Sequence, residues 1–150
     1  MLANFLSMIK INKASSSDAT QLVAIINSAL GYGVSENTLN GRIKNILLRN
    51  DHLLLVAKID DQVVGFCHGY LRLLTEVVEA IEIGGLAVVE THRGKGVARQ
   101  LVTAIEDWAK SLGYTQVVLA SNIIRTEAHA FYEHLGYKKI KQQFAFEKNL

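Results

Sequence analysis

The stretch that decides the fold is VVETHRGKGVARQLVTAIEDWA, residues 88–109. It passes from an apolar run through two glycines, flanked by basic residues, into a segment whose apolar spacing predicts a helix over about 96–112. The first backbone N–H groups of a helix have no intrahelical partner, and the helix dipole adds positive potential there. The turn is therefore suited to bind an anion, although a capped turn with solvated basic side chains would give the same sequence.

Apolar spacing along the rest of the chain predicts a single mixed α/β domain over residues 1–150. No proline, repeat or long polar linker divides the chain, and residues 1–7 are expected to form a peripheral extension. The predicted elements, in chain order, are a strand at 8–13, a helix within 15–31, a helix at 36–49, strands at 52–59 and 62–74 joined by Asp60 and Asp61, a strand at 79–90, a helix at 96–112, a strand at 116–121, a helix at 126–135 and a strand at 139–147.

Local signals place the ends and the irregular points of these elements. Asp18 and Gln21 are expected to form a capping box at the start of the first helix, and Gly31 to end it. The pair Gly84 and Gly85 interrupts the strand at 79–90, which predicts either a bulge or a close approach of another backbone.

Composition limits the class of protein. The chain has 150 residues, of which 49% are hydrophobic, and a net charge of +2, which is too balanced to indicate a nucleic-acid partner. Its single cysteine, Cys67, excludes an intrachain disulfide framework, and no Cys/His cluster has metal-ligand spacing. The first residues do not resemble a signal peptide, and no apolar run reaches the length of a membrane span. We therefore expect a cytoplasmic protein without a metal, a membrane partner or a nucleic-acid partner.

Two common phosphate-binding motifs do not fit the glycine turn. A P-loop requires GxxxxGK followed by Ser or Thr, whereas Lys95 precedes Gly96 and no such hydroxyl follows. A dinucleotide fingerprint requires GxGxxG, but Arg99 stands at the third glycine position, and several strands precede the turn.

The run Arg93-Gly94-Lys95-Gly96-Val97-Ala98 matches a different motif at every defined position: Arg or Gln, two residues, Gly, one residue, then Gly or Ala. This is the coenzyme motif of the GNAT superfamily of N-acetyltransferases. The resemblance extends upstream to IEIGGLAV, residues 81–88, and downstream to EAHAFYEHLGYKKI, residues 127–140, and it covers about residues 8–147. It implies the GNAT fold, a mixed and mostly antiparallel sheet flanked by helices.

The resemblance also implies how acetyl-CoA, the co-substrate, is bound. Its pyrophosphate would lie on the backbone N–H groups of the glycine turn, and its pantetheine arm would pair with the preceding strand near Leu86 and Val88, where the sheet splays. The residues expected at the pyrophosphate are Arg93, Gly94, Lys95, Gly96, Val97, Ala98 and Arg99, with His92 adding charge.

Acetyl transfer to an amine needs a group that accepts the amine proton. Glu82 is our choice of general base, because it lies on the strand at the expected splay, and strand alternation places it on the same side as Gly84 and Leu86. Glu76 and Glu79 lie nearby, and each of the three could instead be an ordinary solvent-facing acidic residue.

Tyr132 matches the tyrosine that in many enzymes of this superfamily donates a hydrogen bond or proton to the coenzyme sulfur, so it is expected to be the general acid; the alternative is an aromatic packing residue beside Phe131. In one departure from the family pattern, Arg125 stands where many members have an Asn, three residues before Ala128. Arg125 could meet a coenzyme phosphate or cap the helix, and Asn122 could take the Asn role. Cys67 is expected to be a buried strand thiol rather than an acyl carrier.

The expected function is transfer of an acetyl group from acetyl-CoA to a primary amine by direct attack in a ternary complex, with a small cationic amine as acceptor. A protein or peptide amine is the second enzyme possibility. A non-catalytic acyl-CoA-binding regulatory domain is the alternative from another class, and it would need neither Tyr132 nor Glu82. The last segment, FAFEKNL at 144–150, resembles an edge strand that needs covering, so a homodimer is expected.

Overall fold

The computed structural model describes residues 8–150, which fall into two compact units, one ending at Ala120 and the other spanning Ser121–Leu150. The predicted peripheral extension, residues 1–7, lies outside the described residues. The second unit contains one helix, α4 (Thr126–His134). The elements of the first unit are β1 (Lys10–Lys13), a 3-10 turn (Ser16–Asp18), α1 (Ala19–Leu30), α2 (Glu36–Leu47), β2 (His52–Ile59), β3 (Gln62–Arg72), β4 (Ala80–Val88), a 3-10 turn (Glu90–His92), α3 (Val97–Ser111) and β5 (Val117–Leu119).

The first unit is built on one sheet with the strand order β1-β2-β3-β4-β5. The first four strands pair antiparallel and β5 pairs parallel to β4, so the expected mixed, mostly antiparallel sheet is confirmed. Helices α1 and α2 pack on one face, where Leu22 and Ile43 join a buried cluster with Phe66. On the other face, α3 approaches so closely that a Cβ built on Gly69 would lie 3.0 Å from the Ile105 side chain.

Strands β2 and β3 form the predicted hairpin, turned by Asp60 and Asp61. Both residues have positive φ, 50° and 62°, which is the backbone of the type I′ turn that follows the twist of two-residue hairpins. The pairing then shifts by one residue, because Lys58 faces Val63 whereas Ala57 faces Gly65. This bulge decides which side chains of the two strands share a face.

The predicted capping box at the start of α1 is wrong. The backbone N–H of Ser15 donates to Asp18 Oδ2 at 2.8 Å, one turn earlier than expected. The side chain of Gln21 instead accepts the Val63 N–H at 2.9 Å and ties α1 to the sheet. The buried Asp18 carboxylate pairs with Lys58 Nζ at 2.7 Å. Asp18 thus belongs to a local capping box with Ser15 and pairs with Lys58, and Gln21 has a tertiary partner, so the two residues do not cap α1 together. The helix ends as expected at Gly31, whose φ is +75°.

The expectation of a bulge at Gly84 and Gly85 is confirmed. Ile83 faces Gly69 and Gly85 faces His68, so Gly84 is the extra residue. The bulge reverses strand alternation beyond it. The prediction that Glu82 and Leu86 lie on the same side is therefore wrong: Glu82 faces α1 and α2, and Leu86 faces α3, opposite Cys67.

The predicted strand at 139–147 is also wrong, since the sheet of the described residues contains only β1 to β5. The apolar side chains Ile140, Phe144 and Phe146 are 78%, 88% and 94% exposed. Alternating apolar residues make a strand only where another strand's backbone groups pair with them. The homodimer expected from this segment stays a prediction, as does the single domain over 1–150. None of the helices in residues 8–150 has both the length and the apolar character needed to cross a bilayer.

Candidate functional site

The glycine turn between β4 and α3 has a backbone that favours glycine. Gly94 and Gly96 have φ of +75° and +83°, in the left-handed region where a side chain is strained. A Cβ built on either residue would meet no atom within 4 Å, so the space in front of the turn is open. Both glycines therefore allow the left-handed backbone conformation of the turn, and they leave the turn accessible to a ligand.

The N–H groups at the start of α3 face this open turn. The first intrahelical bond of α3 runs from the Gln100 N–H to the Gly96 carbonyl at 3.1 Å, so the N–H groups of residues 97–99 precede the hydrogen-bond ladder. Arg93 Nε donates to the Val88 carbonyl at 3.1 Å and fixes the turn to the end of β4. The turn and the first turn of α3 thus present backbone donors and the positive end of a helix dipole, together with the exposed side chains of Lys95 and Arg99.

One edge of β4 is open just before the turn. Strand β5 pairs with β4 only from Ile81 to Ile83, and no strand of the described residues pairs with that edge over 84–88. The Val88 side chain is buried and that of Leu86 half-buried, so the backbone is what this edge offers to a ligand. An extended arm with amide groups could pair with it as an added strand, and an anionic group at the end of that arm would meet the glycine turn.

Glu82 lies on β4 directly opposite Tyr70 of β3. Burial and the neighbouring, half-buried Glu82 carboxylate raise the pKa of Tyr70. A Cβ on Gly84 would lie 3.0 Å from Cε1 of Tyr70, so the bulge leaves space for that ring. The carboxylate is thus held at the bulge, beside the open edge of β4.

Two histidines that the sequence did not single out lie next to Tyr70. His52 Nδ1 and His68 Nε2 are 2.9 Å apart and share a hydrogen bond. The Tyr70 ring stacks on His52 at 5.6 Å and lies 6.1 Å from the His68 ring, measured between centroids. Burial and the neighbouring His52 lower the pKa of His68 to about 4, so its imidazole is neutral at pH 7. Glu82, Tyr70, His52 and His68 therefore form a contiguous polar group on the α1/α2 face.

The low pKa of His68 predicts an acid-sensitive fold. Between pH 6.5 and about 4 the unfolded chain binds a proton at this residue and the folded chain does not, so the free energy of unfolding falls as the pH falls through this window. A shift of this size corresponds to at most about 3 kcal/mol. Urea unfolding at pH 7, 5.5 and 4.5 should show a shallower pH dependence for His68→Gln than for the unchanged chain. An equal pH dependence of the free energy of unfolding in both proteins would contradict the lowered pKa of His68.

A cavity of about 400 Å³ opens between helices α1 and α2 and strands β2 and β3. His52 and His68 line one part of it, and Arg42 and Asn45 of α2 also line it. The other lining side chains are apolar: Leu22, Ile26, Leu39, Ile43, Ile46, Leu54 and Phe66.

The second unit carries the remaining candidates, and it is described by itself. Tyr132 is half-buried on α4 and packs edge-on against Phe131 and Tyr137, with ring centroids 5.1 and 5.7 Å apart. Arg125 is exposed and immediately precedes α4, where its N–H donates to the Asn122 carbonyl at 2.9 Å. The packing alternative for Tyr132 thus has local contacts, whereas the Arg125 side chain makes no capping hydrogen bond to α4. The functional roles of both residues stay predictions.

Cys67 lies on the α3 face of β3 and is fully buried. Burial raises the pKa of its thiol to about 12, so the reactive thiolate is absent at neutral pH. The expectation of a buried strand thiol is confirmed, and an acyl-cysteine step at this residue is disfavoured.

The chain is similar to known proteins in both sequence and fold. A model of the Acetyltransferase (GNAT) family matches residues 21–137. Human N-acetyltransferase 8B is 38% identical over 91 residues, which are 59% of this chain and 40% of that protein. N-acetylaspartate synthetase of Danio rerio is 32% identical over 85 residues, 57% of this chain and 29% of that protein. The chain thus spans less than half the length of these two relatives.

Among solved structures, the aminoglycoside N-acetyltransferase AAC(6')-Iy in complex with CoA is similar, with a TM-score of 0.87. The match covers 99% of this chain and 100% of that chain, at 16% sequence identity. At this level of identity the similarity supports the fold alone.

Proposed function

Because the chain belongs to the acetyltransferase (GNAT) family, we propose that it transfers the acetyl group of acetyl-CoA to a primary amine, with a small cationic amine as the acceptor. The observation that carries this proposal is the open edge of β4 over 84–88, which leads into a glycine turn rich in backbone donors. Relatives named as N-acetyltransferases, and a structural neighbour that binds CoA, support it.

In this proposal the chain binds acetyl-CoA chiefly through its backbone. The edge of β4 at Leu86 and Val88 pairs with the pantetheine arm, and the N–H groups of Gly94, Gly96, Val97 and Ala98 bind the pyrophosphate. The side chains of Lys95, Arg99 and Arg125 contribute positive charge, and Arg93 fixes the turn through the Val88 carbonyl. Backbone binding explains why the turn has two glycines with open space in front of them.

The amine nitrogen attacks the thioester carbonyl carbon directly, while both substrates are bound. A C–N bond forms, the C–S bond breaks, and the bonding electrons leave with the sulfur. Glu82 accepts the proton that the amine must lose, and Tyr132 donates a proton to the departing thiolate. Glu82 is supported by its position at the bulge beside the open edge of β4, and Tyr132 by its place in the matched sequence motif.

The test is an assay of free thiol released from acetyl-CoA in the presence of pooled primary amines, with the products identified by mass spectrometry. The proposal expects an acetylated amine and an equal amount of thiol. If acetyl-CoA binds but neither small amines nor peptides with free amino groups are acetylated, the non-catalytic acyl-CoA-binding domain becomes the better account. The cytoplasmic setting is a proposal that rests on the sequence alone.

Replacing Gly96 with alanine should weaken acetyl-CoA binding by about 10- to 100-fold, the effect of losing one or two hydrogen bonds to a charged group. The added Cβ would stand in the open space that the pyrophosphate needs. Gly113→Ala is the matched control, because Gly113 has nearly the same φ, +85°, and equally open surroundings beyond the other end of α3. Titration calorimetry should show weakened binding only for Gly96→Ala. Equal affinities in the two variants would place the pyrophosphate elsewhere.

A further inference from the structure

We propose that the cavity between α1, α2, β2 and β3 binds the acceptor, and that the acceptor is a primary monoamine with an apolar body, its amino group lying at the His52–His68 end. This inference rests on the proposed acetyltransferase function and narrows its substrate class. It distinguishes amines with one charge and an apolar chain from polyamines and aminoglycosides.

The wall of the cavity is mostly apolar, which favours an acceptor with an apolar body. The cavity volume of about 400 Å³ is sufficient for a small molecule. Seven of the eleven side chains that line it are Leu, Ile or Phe. Such a wall gains free energy by removing an alkyl or aryl group from water, whereas a second ammonium group placed against it would lose its hydration without a carboxylate partner.

The polar end of the cavity lies close to the proposed general base. His52 and His68 line the cavity, and both rings lie against Tyr70, which lies directly opposite Glu82 on the neighbouring strand. The polar end of the cavity is therefore one side chain away from the proposed general base. An amine bound with its nitrogen at this end has its apolar body directed along the Leu and Ile side chains.

The charges around the cavity disfavour an acceptor with a second cationic group. Among the described residues that line the cavity, Arg42 carries the only permanent charge, and that charge is positive. The His68 imidazole is neutral at pH 7, so it does not repel the amino group of the acceptor. A diamine or polyamine would place a further cation near Arg42 without any acidic residue in the wall to offset it.

Heptylamine and 1,6-diaminohexane form a matched pair of acceptors, because the second amino group replaces the terminal methyl of the first compound. We expect kcat/KM for heptylamine to exceed that for the diamine by at least about 100-fold, since an apolar pocket discriminates by a similar factor over a single methylene. Equal values, or a preference for the diamine, would overturn the inference while leaving the acetyltransferase function in place.

Two variants test whether this cavity produces the selectivity. Ile46→Trp should fill it and raise KM for heptylamine at least about tenfold, with KM for acetyl-CoA unchanged. Leu48→Trp is the control, because Leu48 is 87% exposed and does not line the cavity. Arg42→Glu should reduce the preference for heptylamine over the diamine by about 3- to 10-fold, and Arg42→Lys should retain it. An unchanged KM for heptylamine in Ile46→Trp, or an unchanged preference for heptylamine in Arg42→Glu, would contradict the placement of the acceptor in this cavity.

Direct binding separates this inference from the proposed function. Heptylamine added to the protein with labelled methyl groups should shift the NMR signals of Ile43 and Ile46, and Ile46→Trp should abolish the shift of Ile43. If these shifts occur but no amine is acetylated, the binding site stands and the acetyltransferase function fails. If heptylamine is acetylated without shifting either signal, the function stands and the cavity is not the acceptor site.

Discussion

Replacing Tyr132 with phenylalanine is expected to lower kcat for amine acetylation by about 10²- to 10⁴-fold, the usual contribution of a positioned acid. The change removes one hydroxyl and keeps the ring, so the packing of residue 132 against Phe131 and Tyr137 is preserved. The departing thiolate would then leave without its proton donor. Steady-state kinetics with acetyl-CoA and a saturating amine measures the effect.

Tyr137→Phe is the matched control for this prediction, since Tyr137 packs on the same ring in the same unit of the chain. Circular dichroism and thermal unfolding of both variants would show whether the fold is retained. If folded Tyr132→Phe has a kcat within about threefold of the unchanged protein, Tyr132 is a packing residue and not the general acid.

Replacing Glu82 with glutamine is expected to lower kcat/KM at pH 7 by about 10²- to 10⁴-fold, because an amide cannot accept the amine proton. Glutamine has nearly the same shape, so the packing of this side chain opposite Tyr70 is preserved. The defect should shrink as the pH approaches that at which the free alkylamine is deprotonated, about 10. A pH profile of kcat/KM for both proteins measures this convergence.

Glu79→Gln is the control, because Glu79 is exposed and lies just before β4. A structural role for Glu82 would give a defect that is constant across the pH range. A Glu82→Gln variant with unchanged kcat/KM at pH 7 would show that water or another group accepts the proton.

The sequence predicts the order of most elements well, because apolar periodicity reports directly on burial. The spacing of Leu101, Val102 and Ile105 indicates the buried face of α3, and these three side chains are fully buried. The turn at Asp60 and Asp61 is similarly local, since it depends on the backbone preferences of two residues. The glycine turn could also be predicted from the sequence, because it too depends on the backbone preferences of a few neighbouring residues.

The polar group at His52, His68 and Tyr70 could not be found in this way. From the hairpin turn alone, simple register counting would pair His52 with Gly69 and leave His68 on the opposite face. The shift between Ala57 and Lys58 brings His52 opposite Tyr70, on the same face as His68. A bulge depends on packing of the whole sheet, so the sequence of one hairpin does not determine it.

The same physical reason explains the error on β4. Alternation along the strand predicts that Glu82 and Leu86 share a face, but the extra residue at Gly84 moves them to opposite faces. Glu82 thereby faces the cavity side of the sheet, and the Leu86 side chain turns to α3. The glycine pair signalled an irregularity, but only the register shows its consequence for the side chains.

The most direct test of the central claim uses acetyl-CoA labelled with ¹³C in its acetyl group and a primary amine such as heptylamine. Mass spectrometry then reads whether the label appears in an amide, and a thiol assay counts the coenzyme released. The account predicts labelled amide in an amount equal to the released thiol, and neither in the absence of enzyme. Release of thiol together with free acetate and no amide, or binding of acetyl-CoA with no product from any primary amine, would contradict it.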